Sequence, residues 1–110
     1  MCLISLEEAK AYLRVDSSDE DALVGVLRSS ACRLCADVAR LDDDQWAVVN
    51  GQAVNFGMYT AEELARIREL MKTAILYTVG YFFEHREEAD YHDLVMTLRN
   101  LLSAIREGVF

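Results

Sequence analysis

One run constrains this chain more than any other: Ala74-Ile75-Leu76-Tyr77-Thr78-Val79-Gly80-Tyr81-Phe82-Phe83, free of formal charge and closed abruptly by Glu84-His85-Arg86-Glu87. It holds no proline, so nothing in it forbids a helix. A helix on a globular core needs only about three or four apolar positions per two turns. The run exceeds that. Tyr77, Tyr81 and Phe82 count as surplus apolar area, available to a second chain as well as to the protein's own core. That points to an assembly subunit rather than an enzyme.

Composition sets the frame around this run. The chain has 110 residues and no compositional break, which fits one domain. A domain of that size buries roughly two-thirds of its unfolded surface, enough for a core without metal or disulfide support. Proline is absent and glycine numbers only 5, which favours long uninterrupted helices. The formal net charge is −8. Affinity for free nucleic acid comes mainly from Lys and Arg neutralising phosphates, so tight DNA binding is not expected and a basic protein partner is favoured. Met1 to Val15 carries Glu7 and Glu8 and no continuous apolar core, unlike a signal peptide. No run reaches about 18 uncharged apolar residues, so no membrane span is expected. Three cysteines, an odd number, without an export signal lead to the expectation of reduced thiols in a cytoplasm.

Capping signals divide the chain. Ser5-Leu6-Glu7-Glu8 is a capping box opening a short first helix with Leu6, Ala9 and Leu13 on one face, ending near Arg14 or Val15. Asp16 to Asp21 forms a turn and a second start, capped by Ser17 with Glu20 or by Ser18 with Asp21. Leu23, Leu27, Ala31, Leu34, Val38 and Leu41 then recur at helical spacing, which predicts a second helix over about Asp19 to Leu41. Asp42-Asp43-Asp44 opposes the dipole there and reads as its stop. Trp46 to Val49, Asn50-Gly51, and Gln52 to Phe56 read as a short β-hairpin, because Asn-Gly is the preferred pair of a two-residue type I′ turn. Thr60-Ala61-Glu62-Glu63 is another capping box. It opens a long third helix that buries Leu64, Ile67, Met71, Ala74, Ile75, Val79 and Phe82 and runs to about Glu87, roughly 40 Å. Asp90 is placed to cap a fourth helix with Leu94, Leu98, Leu101, Leu102 and Ile105 on its core face. The tail Gly108-Val109-Phe110 leaves an apolar end.

Candidate chemistry is thin. Cys32-Arg33-Leu34-Cys35 is a CxxC, but it lies well inside the second helix, whereas a redox pair draws its low pKa from a helix N-terminus. It reads as small apolar helix residues. Asp16-Ser17-Ser18-Asp19 starts like a calcium loop, but Asp21 and Leu27 stand where glycine and glutamate are needed. His85 and His92 sit among carboxylates with no nucleophile, phosphate loop or cofactor motif beside them. No catalytic residue, cofactor or metal is assigned. Arg86, Arg99 and Arg106 punctuate apolar faces and suit carboxylates of a neighbouring copy as well as surface pairing within the fold. Trp46, Phe56 and Tyr59 are aromatics of a kind more often found in a core than in a binding site, with partner contact as the alternative reading.

Leu6-Glu7-Glu8-Ala9-Lys10-Ala11-Tyr12-Leu13-Arg14-Val15-Asp16, followed by Asp19-Glu20-Asp21-Ala22-Leu23, resembles the N-terminal signature of the small head–tail connector proteins of tailed bacteriophages, also described as head-completion or DNA-packaging adaptor proteins. Ala74-Ile75-Leu76 with Val79 to Glu87 resembles that family's second signature, and Leu101-Leu102-Ser103-Ala104-Ile105-Arg106 its third. The segment Asp42 to Tyr59 matches no motif. The resemblance implies a small helical bundle whose copies form a ring, commonly of about twelve, beneath the portal protein at one capsid vertex. Such a ring extends the DNA channel, helps retain packaged DNA without sequence-specific binding, and offers a surface to the tail-completion protein. It implies no catalysis. It makes Trp46, Asn50, Gly51 and Phe56, and the tail Val109-Phe110, candidate contacts to a partner or to the channel.

The sequence therefore leads to an all-α fold, a small four-helix bundle with a short hairpin or loop between its second and third helices. The expected function is a connector subunit in the virion, assembled in a bacterial cytoplasm. A ring generated by rotation needs two different complementary patches per subunit. One is expected on the third helix at Tyr77, Tyr81, Phe82 and Arg86, the other on the second around Arg28 and Arg33. The alternative is a small acidic helical adaptor or regulator that binds a basic protein.

Overall fold

Three helices begin on a capping box, and those boxes set the frame of the molecule. In the computed structural model, which describes residues 2–87 and 91–108, Ser5 accepts from the Glu8 amide while Glu8 reaches back to the Ser5 amide, opening α1 (Leu6–Leu13). Asp42 and Gln45 do the same for α3 (Asp43–Val49). Thr60 and Glu63 do it for α4 (Ala61–Glu84). Each box satisfies orphan amide donors and places carboxylates at the positive end of the helix dipole. Between α1 and α3, a 3-10 turn at Ser18–Glu20 leads into α2 (Asp21–Val38). The chain closes with α5 (His92–Leu101) and α6 (Ser103–Glu107).

The core lies between α2 and α4. Val24, Ala31 and Cys35 of α2 meet Ile67, Met71, Ala74, Ile75 and Val79 of α4, all buried. Ala31, Cys35 and Ala74 are small, which lets two long helices approach closely. α1 contributes Ala9 and α5 contributes Leu94 and Leu98, and both helices contact α2 and α4. Thr78 is a fully buried polar residue. Its hydroxyl donates to the Ala74 carbonyl at 2.8 Å, so its burial leaves no donor unsatisfied. The molecule measures 42 × 28 × 19 Å, the long dimension matching the roughly 36 Å of α4.

The all-helical class is observed; the finer expectations change. The described residues form six α-helices, not four, and no strand. The hairpin expected from Trp46 to Phe56 is replaced by α3 and a loop. Asn50-Gly51 ends a helix instead of turning a hairpin: Gly51 takes φ 78° while its amide bonds Val48 O and the Gln52 amide bonds Ala47 O, a Schellman closure. Asn-Gly serves both devices, since each needs a positive φ. The Asp42-Asp43-Asp44 run read as a stop is also a start, with Asp42 capping α3. The second helix is shorter than Asp19 to Leu41, because Arg40 at φ 58° closes it. The expected Asp90 cap, and Val109 and Phe110, lie outside the described residues.

The cysteines differ from expectation as well. Cys2 and Cys32 form a disulfide, with Cα atoms 5.9 Å apart, that ties the N-terminal segment to α2. The same segment is held by the Arg28 guanidinium, which donates to Ile4 O at 2.8 Å over a fully buried Ile4 side chain. Sequence counting could not see this, because the bridge joins residues 30 apart that only the fold brings together.

Candidate functional site

The surface carries apolar side chains that the fold does not cover, and they lie in separate places. The first is the loop between α3 and α4. Val54 is 67% exposed, Phe56 91% and Met58 43%. The loop is nevertheless held: the Asn55 side chain donates to Tyr59 O at 2.8 Å and accepts from the Tyr59 amide at 3.0 Å. Tyr59 is itself buried against the core. Burial first, then the Asp42 carboxylate, pushes its phenol above the usual range. An ordered loop thus presents a large aromatic side chain to water, which normally costs a protein the burial of about 150–250 Å².

The second place is the C-terminal end of α4, where two grooves flank the helix. One, of about 560 Å³, is walled by Tyr12, Arg14, Tyr77, Gly80, Tyr81, Glu84 and His85. Tyr12 is 51% exposed and lies over Gly80, where a Cβ would meet its ring at 3.0 Å. The other groove, of about 410 Å³, is lined by Leu23, Leu27, Ser30, Phe82, Arg86 and Tyr91.

The residues expected on the third-helix patch separate into two kinds. Tyr77 is 39% exposed and walls the Tyr12 groove. Tyr81 is half-buried, stacked on His85 with centroids 4.2 Å apart and set edge-on to Tyr91. Phe82 is half-buried and edge-on to Tyr91 at 5.3 Å. Those two rings join α4 to α5 and also wall the grooves. Arg86 is exposed, lies over the Phe83 ring at 4.9 Å, and makes no ion pair among the described residues.

On the second helix, Arg28 is engaged internally with Ile4, while Arg33 is exposed and near Asp37 at 3.6 Å, a pairing worth little in water. Trp46 is half-buried on α3, packed against the core beside the pocket that Cys2, Arg28 and Cys32 also line. It does not stand at a hairpin tip. Asn50 and Gly51 close α3. Of the loop residues, Phe56 has the exposure a contact residue needs. Sequence reasoning missed Val54, Met58, Tyr12 and Val26, which is 63% exposed on α2. Val54 and Phe56 fall in the segment Gln52 to Phe56 that reads as a strand, and Met58 lies beyond it.

Two further features carry chemistry. Cys35 is fully buried, 3.5 Å from the Thr78 hydroxyl, and burial pushes its thiol up to about 11. Cys32 pairs with Cys2, so the CxxC is not a dithiol. At the end of α2, Arg106 donates to Val38 O and complements the negative helix terminus. Partial burial and then Arg40 and Arg99 lower its pKa. Among the described residues no group of three His, Cys, Asp or Glu side chains converges as a metal site, and no helix is long and apolar enough to cross a membrane. No family model matches the chain, and no curated protein or solved structure matches it.

Proposed function

We propose that this chain is the structural subunit of a phage head–tail connector: copies form a ring of about twelve under the portal protein, extend the DNA channel, help retain packaged DNA and present the attachment surface for the tail-completion protein. One observation carries the reading. The folded subunit leaves apolar side chains uncovered at two distant places, the Phe56 loop and the C-terminal end of α4, as Phe56 at 91% and Tyr77 at 39% exposure illustrate. A ring generated by one rotation needs two unlike patches on each subunit, and uncovered apolar area of this kind marks interaction surfaces. The order of the three sequence signatures supports the phage assignment. The helical core of α1, α2, α4 and α5 suits the small bundle that the assignment implies.

The test is electron microscopy of the purified protein alone and mixed with its portal. The proposal expects closed rings on portal assemblies, with or without rings in the free protein, since a template can supply what weak contacts lack. A fixed dimer indifferent to portal would instead mark an acidic adaptor, the reading that the net charge of −8 favours.

A further inference from the structure

We infer that the Phe56 loop of one copy seats in the groove between α2 and the α4–α5 junction of the next, a head-to-tail contact between copies of this chain. The inference deepens the proposed function and rests on its like-with-like assembly.

The loop is built as a knob. Residues 50–58 carry no charge, Asn55 clamps the turn through both backbone groups of Tyr59, and Phe56 stands 91% exposed at its crest. A clamped aromatic loses little conformational freedom on docking, which is the property of an anchor residue. The groove is built as a hole. Leu23, Leu27, Phe82 and Tyr91 give it apolar walls, and its volume of about 410 Å³ admits an aromatic side chain with its neighbours. The Tyr12 groove on the other flank of α4 is walled in part by Arg14, Glu84 and His85 and suits an apolar knob less.

The loop cannot reach the groove of its own chain. The loop joins α4 at Thr60 and the groove lies at Phe82 and Arg86, roughly 33 Å along the helix at 1.5 Å per residue. Four residues of extended chain from Thr60 to Phe56 span at most about 14 Å. A Phe56 loop seated there belongs to another copy, and the charges beside loop and groove suit that pairing. Arg86 is exposed at the groove without an ion pair among the described residues. The first charge following the knob is Glu62, exposed in the first turn of α4 and likewise outside any ion pair there. Seating the knob brings a carboxylate of one copy towards the guanidinium of the next. A contact of this kind is heterologous, the type that builds a ring when the rotation between copies closes.

The test uses two chains, each with one half of the contact disabled at an exposed position. Phe56→Glu removes the knob and keeps the groove; Ser30→Trp fills the groove and keeps the knob. Circular dichroism confirms that both fold. The Phe56→Glu chain is isotopically labelled and titrated with the unlabelled Ser30→Trp chain to about millimolar concentration, the weak end of measurable affinity. The expected result is a saturating 1:1 change in the amide spectrum at Leu23, Leu27, Ser30, Phe82, Arg86 and Tyr91. Arg86→Glu in the labelled chain should weaken binding about fivefold, and Glu62→Arg in the other should restore it. No change at those amides, or change confined to other residues, overturns the inference. Rings on portal without groove signals would retire this contact and leave the proposed function standing. Groove signals without portal rings would do the reverse.

Discussion

Arg14 and Arg40 both hold left-handed backbone, at φ 59° and 58°, where helices α1 and α2 end. Each supports a Schellman closure: Val15 N bonds Lys10 O, and Leu41 N bonds Ala36 O. A side chain in that region costs about 1–2 kcal/mol that glycine avoids, offset in part by glycine's greater freedom when unfolded. Arg40→Gly should therefore raise stability by about 0.5–1 kcal/mol in urea denaturation. Cys35 gives a prediction in pH. Its thiol is raised from 9.0 to about 11 in the fold, so the folded chain holds a proton that the unfolded chain releases. Stability is thus unaffected below the unfolded value and falls as pH rises from about 9 to about 11, by on the order of 2–3 kcal/mol at most. Comparing wild type with Cys35→Ala by denaturation at each end of that window should show a smaller alkaline loss in the variant; equal losses would reject the assignment.

At the scale of elements, α3 is the instructive case. It has only 7 residues, too few to be stable alone, and relies on its caps and on Arg68. The Arg68 guanidinium donates to the Val48 and Val49 carbonyls at 3.1 and 2.9 Å, satisfying the C-terminal end. Asp42→Ala should cost about 1 kcal/mol, measured by denaturation, and should reduce helical chemical shifts within 43–49. A hairpin over Trp46 to Phe56 would respond to neither. The boxes at Ser5 and Thr60 were legible because each precedes an apolar periodicity long enough to identify a helix. The box at Asp42 was not, because it follows another helix directly and its own helix is too short to show a period. Within the candidate site, the exposure of Tyr77 followed from an overfull apolar face. The internal use of Arg28 and the anchoring of Tyr81 and Phe82 on Tyr91 depend on elements distant in sequence, and no local pattern announces them.

For the molecule as a whole, the Cys2–Cys32 bridge fixes the N-terminal segment across α1 and α2. Closing a loop of 30 residues restricts the unfolded chain by an amount worth up to about 3–4 kcal/mol. Thiol titration of the denatured, unreduced protein should find Cys35 alone, and reductant should lower the melting temperature by several degrees. An unchanged melting temperature would show that the segment is held by Ile4 and Arg28 instead. The larger claim concerns what covers the apolar surface of the folded subunit. A photoactivatable phenylalanine analogue at position 56 reads this directly, because Phe56 is almost wholly in solvent and lies outside the core. Irradiated with portal protein present, it should yield a ladder of covalently joined copies of this chain. Cross-links to other proteins alone, or none, would contradict the account.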